Sequence, residues 1–67
     1  MSLKQYFGRT VAIVTDNGKM FFGVIDDYIY PDDNEHNLES IVLKTANGDL
    51  YEFTNEDIET IKIIKGE

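Results

Sequence analysis

The 67-residue chain contains no cysteine, one proline and one histidine, and its six basic residues face thirteen acidic ones. Without cysteine, neither a disulfide nor a thiolate metal site can form. One domain of this length buries only about 60 % of its unfolded surface, so it depends on a well-made core or on self-assembly. The missing cysteine also fits a cytoplasmic protein. No apolar run approaches the roughly 18 residues of a membrane span, and no basic stretch precedes a long apolar one. Neither a membrane helix nor a signal peptide is therefore expected. The formal net charge of −7 disfavours nucleic acid, which is held mainly by Lys and Arg at its phosphates.

What is present is a series of short β-branched and aromatic runs separated by turn residues. Ser2 is a helix N-cap residue, Leu3 to Phe7 suit a short helix, and Gly8 stands where such a helix ends. Arg9 to Thr15 is a first strand, rich in β-branched residues. Asp16-Asn17-Gly18 is a hairpin signal. A second strand follows from Lys19 to about Tyr30, where Pro31 ends it. Gly23 lies in its middle and predicts a bend or a close backbone approach. After the polar loop 32–37, a third strand spans Glu39 to Thr45, Asn47-Gly48 gives another tight turn, and a fourth strand covers Leu50 to Phe53. Thr54 and Asp57 have the spacing of a capping box, and Ile58 to Ile64 is a fifth strand. The expectation is a single mainly β domain over residues 1–67, a short N-terminal helix followed by five strongly bent antiparallel strands that close as a small barrel.

These residues carry a resemblance. Val11, Ile13, Gly18, Phe21, Gly23, Ile25 and Tyr28 follow the apolar, glycine and aromatic pattern of the first Sm motif. Thr54 to Ile61 matches the short turn and Ile-x-x-Ile strand that end the second. From about Leu3 to Ile64 the chain resembles the Sm-like small-barrel family, and its framework positions are shared by other SH3-like barrels. The resemblance implies a barrel, and the family assembles rings by pairing the fourth strand of one copy with the fifth of the next. The family's uridine-pocket positions do not carry over. Ile29 follows Tyr28 where Asp is usual, Ser40 precedes Ile41, and Thr54-Asn55 stands where Arg-Gly or a Tyr-Lys-His stretch is expected.

Three groups of residues are candidates for function. The second strand has apolar side chains on both faces: Phe21 and Ile25 on one, Met20, Phe22 and Val24 on the other. The fourth strand repeats this, since Tyr51 and Phe53 alternate with Leu50 and Glu52 and so put apolar groups on more than one face. Met20, Phe22, Val24, Tyr51 and Phe53 are therefore expected at a subunit interface of a homo-oligomer. The segment Asp26 to Glu39 holds six carboxylates and no Lys or Arg. Its spacing fits no calcium loop, and Asp32, Asp33 and Glu35 are candidates for a face that meets a basic protein partner, against the plainer account of a solvated loop. Lys19, Lys44 and Lys62 would have to converge for an RNA-binding alternative, which the charge does not favour. His36 stands alone, without a second nitrogen or sulfur ligand. No nucleophile, base pair or ligand constellation points to an enzyme, a cofactor or a metal.

Overall fold

In the computed structural model, residues 2–33, 35 and 37–64 are described; His36 and Lys65 fall outside them. Five antiparallel strands form one sheet: β1 Thr10–Thr15, β2 Met20–Ile29, β3 Ser40–Lys44, β4 Leu50–Thr54 and β5 Ile58–Ile63. Each boundary lies within one residue of the sequence expectation. The spatial order is β4-β3-β2-β1-β5. Strands β1 to β4 are joined by consecutive hairpins, and β5 returns to lie against β1.

This order forces curvature. Strands β4 and β5 are the opposite edges of the sheet, yet only residues 55–57 separate them in sequence. A flat sheet would hold five strands with its edges roughly 19 Å apart, four spacings of about 4.8 Å. The linking turn instead closes tightly, with the Asp57 N–H donating to the Thr54 carbonyl at 3.0 Å. The sheet must therefore curl until its edges approach at that corner. They do not pair with each other in the described residues, so the sheet stays open and no barrel is closed by strand pairing.

Local chemistry supplies the bends. Gly23 packs so closely on β3 that an added Cβ would lie 2.3 Å from the Lys44 carbonyl oxygen. Past Ile25 the pairing of β2 with β3 shifts by one residue at Asp26. Such a bulge bends the strand and exchanges its faces. Phe21 and Ile25 point inward before the bulge, whereas Tyr28, paired with the buried Ile41, points inward after it. A second bulge on β5, beside Val14 and Thr15, does the same at the other arm.

Both tight turns use one design. Thr15 and Thr45 accept the N–H of Gly18 and Gly48 at 2.9 Å, and Gly18 and Gly48 alone in each turn take positive φ, at 85° and 90°. Asn17 and Asn47 keep negative φ. The turns are thus type I with a glycine bulge rather than the two-residue hairpin in which Asn also turns left-handed. The expected capping box forms as a hydrogen-bonded turn, not a helix. The Thr54 N–H donates to the Asp57 carboxylate at 2.9 Å, and the Glu56 N–H donates to Thr54 Oγ1 at 3.2 Å. At the N-terminus the helix is a single 3₁₀ turn, Lys4–Tyr6.

The core sits in the concavity. Leu3, Val11, Ile13, Ile25, Ile41, Leu43 and Phe53 are buried, and Tyr6, Phe21, Tyr28, Ile58 and Ile61 pack around them. Leu3 is fully buried and Tyr6 packs against the cluster, so the N-terminal segment is docked on the core. No helix among the described residues is long and apolar enough to cross a membrane.

Candidate functional site

Among the described residues nothing covers the convex face of the sheet. Strand pairing sets its rows: Val24 lies beside Lys44 and Thr10, Phe22 beside Ala12, and Met20 beside Val14. Met20 and Phe22 keep 58 % and 55 % of their surface exposed, and Val24 is exposed too. A free-standing strand of a small domain usually covers such side chains on one face, so this patch is a real surplus of apolar surface. More apolar surface lies at the two sheet edges. Leu50 and Tyr51 on β4, and Ile63 and Ile64 at the end of β5, are all exposed. These are also the strands whose outer edges, among the described residues, have no partner strand in the sheet. An unpaired strand edge bearing exposed apolar side chains and no proline is a template for pairing with another chain.

The sequence candidates divide accordingly. Met20, Phe22, Val24 and Tyr51 are available to a partner. Phe53 is not: it is 6 % exposed and its ring lies 5.0 Å from that of Phe21, which also packs at a tilt against Tyr51 at 4.9 Å. Alternation along β4 sends Phe53 inward opposite Ile41, a placement that two-faced apolar content alone could not decide. Leu50, Ile63 and Ile64 were missed as surface residues because edge position depends on strand order rather than on local pattern.

The lysines also divide. Lys44 pairs with Val24, and Lys62 pairs with Ala12, which in turn pairs with Phe22. Both therefore belong to the convex face on either side of Phe22. Lys19 does not join them; it lines a separate depression with Phe21, Glu52, Phe53 and Asp57.

At the opposite end of β2 the aromatic and acidic residues gather. The carboxylate of Glu39, 8 % exposed, accepts the Tyr28 hydroxyl at 2.7 Å, the Leu3 N–H at 3.1 Å and the Asn55 amide at 3.5 Å. This network ties the N-terminal turn, β2 and the β4–β5 turn together. Hydrogen bonding to that negative carboxylate, helped by desolvation, raises the Tyr28 phenol above its ordinary value. The fixed Tyr28 ring meets Tyr30 edge-on at 5.0 Å and 87°. Lys4 Nζ lies 5.0 Å from the centre of the Tyr30 ring. Lys4, Phe7, Asp27, Tyr28 and Tyr30 line an open depression of about 370 Å³. Asp32 and Asp33 follow Tyr30 in an exposed 3₁₀ turn, Pro31–Asp33, and Glu35 is exposed beyond it. Glu39, the last acid of the segment, is structural.

Among the described residues no three His, Asp or Glu side chains are grouped closely enough to hold a metal ion. Comparison of the chain with family models, with curated proteins and with solved structures finds no match.

Proposed function

We propose that the chain is a non-enzymatic, cytoplasmic interaction module of Sm-like type that assembles with copies of itself through its two sheet edges. The observation that carries this is the coincidence of unpaired strands with exposed apolar side chains. Strands β4 and β5 are the only edges of the described sheet, and Leu50, Tyr51, Ile63 and Ile64 lie on or beside them. Pairing β4 of one copy with β5 of the next satisfies both edges at once and buries these side chains. Such a contact uses different surfaces on the two copies, so it generates a ring when the rotation closes. The Sm-like resemblance points the same way, since pairing of the fourth and fifth strands is how that family assembles. A closed barrel within one chain is not needed for this, because the neighbour's strand continues the sheet.

The test uses two exposed edge residues. Leu50→Lys blocks the β4 edge and Ile64→Lys the β5 edge, and an inserted lysine at a strand edge opposes pairing. Light scattering of each variant alone should give the monomer mass. An equimolar mixture should give the dimer mass, because each variant keeps one intact edge that fits the other's. Both variants retaining the wild-type mass would refute the edge contact.

A second reading has one observation in its favour. Phe22 is exposed on the convex face that also carries Lys44, beside Val24 on β3, and Lys62, beyond Ala12 on β5, and aromatic rings in a basic groove are the elements that single-stranded RNA binders use. The acidic balance of the chain weighs against it. Binding of a mixed-sequence single strand that weakens steeply with salt and is lost in Phe22→Ala would support this alternative.

A further inference from the structure

The depression at the end of β2 combines three features that point to one ligand chemistry. Its walls are aromatic: Phe7 and Tyr30 are exposed, and Tyr28 stands between the core and the surface. Among the described residues that line it the carboxylate is Asp27, with Asp32 and Asp33 close by in sequence. It already has a cation at its rim, since Lys4 Nζ lies 5.0 Å from the Tyr30 centroid, within the roughly 6 Å over which a ring face attracts an ammonium group. We propose that this corner captures a lysine or arginine side chain from a basic segment of a partner protein.

The ring positions are set in advance. The Tyr28 hydroxyl is held by Glu39 at 2.7 Å, and Tyr30 packs edge-on against Tyr28, so ordering these rings costs little when a ligand arrives. The volume, about 370 Å³, lies inside the range of small-ligand pockets and accommodates one long cationic side chain. The carboxylates supply the field. Asp26, Asp27, Asp32 and Asp33 are exposed and no Lys or Arg interrupts the segment, so a basic chain is steered toward this corner. Lys4 then acts as a built-in competitor: it occupies the Tyr30 face in the free protein and must yield to the incoming side chain. The inference rests on the interaction-module reading but not on self-association, because the lining residues belong to the N-terminal segment and to β2 and its end, and none to β4 or β5.

Fluorescence anisotropy of a labelled hexalysine peptide, with its fully acetylated counterpart as the neutral control, tests this on the intact protein. The wild type should bind hexalysine and not the acetylated peptide. Tyr30→Leu keeps the apolar bulk at an exposed position but removes the ring face; it should weaken binding by about threefold or more. Lys4→Ala should tighten binding, since it removes the competitor. Asp32→Asn with Asp33→Asn should lower the salt dependence while leaving the Tyr30 effect in place. Equal binding by wild type and Tyr30→Leu would reduce the interaction to unspecific charge attraction and overturn the proposal. So would the absence of hexalysine binding, or a Lys4→Ala variant no tighter than wild type. Each result is a difference between variants of one peptide titration, so it stands whatever mass light scattering assigns to the protein alone.

Discussion

Single residues carry much of the shape. Gly23 was legible as a place of close approach, and the Lys44 carbonyl is what it approaches. Gly23→Ala should therefore cost about 1–3 kcal/mol, since backbone must move to admit the methyl group; urea unfolding would show the lower midpoint. Glu39 was read as one acid among six, and nothing in its neighbourhood in sequence marks it as the acceptor for Leu3, Tyr28 and Asn55. That role comes from residues 36, 11 and 16 positions away. Glu39→Ala should destabilise by about 2 kcal/mol, because the buried Leu3 N–H and the part-buried Tyr28 hydroxyl lose their acceptor. Glu39→Gln, which keeps an acceptor oxygen, should cost less. The same bond has a consequence at high pH. The folded-state pKa of Tyr28 lies above its unfolded value, so the neutral phenol is favoured in the native state. The stability this contributes is present below about pH 10 and is lost as pH rises through the raised value. Tyr28→Phe should leave a shallower alkaline loss of stability, with one fewer late-titrating tyrosine in an ultraviolet titration. An unchanged alkaline profile would show that the Glu39 bond does not influence the phenol.

At the scale of elements, the strands were readable because their side chains alternate between hairpin turns that contain glycine. The bulge in β2 was not anticipated, although its mark is in the chain. Asp26 and Asp27 are consecutive polar residues between the inward Ile25 and the inward Tyr28, so the two-residue period breaks there. Read through without the break, the strand misassigns every side chain beyond it. The strand order was also out of reach of local pattern, and with it the edge positions of Leu50, Tyr51, Ile63 and Ile64. Phe53 shows the same limit from the other side. Its apolar neighbours suggested a surface, and its pairing with Ile41 makes it core. The edges give a prediction at this scale. Leu50→Lys and Ile64→Lys replace exposed side chains, so each should change the monomer's stability by no more than about 0.5 kcal/mol while abolishing assembly. A large loss of stability in either would mean that the side chain supports its own subunit.

For the whole molecule, the sequence posed the question of what covers the second face of β2. Among the described residues nothing does: Met20, Phe22 and Val24 stay exposed on the convex side, with Val24 beside Lys44. Two kinds of surface then compete to explain the chain, the apolar edges and the convex patch. The edges are the stronger candidate because, among the described residues, β4 and β5 each lack a second partner strand and also carry exposed apolar side chains. The acidic, aromatic corner is lined by residues of the N-terminal segment and of β2 and its end, not by residues of β4 or β5. The central claim is self-association, and light scattering on the wild-type protein across a wide range of concentration tests it most directly. A mass that is a fixed multiple of the chain mass and independent of concentration is the predicted result. A monomer mass at every concentration would contradict it.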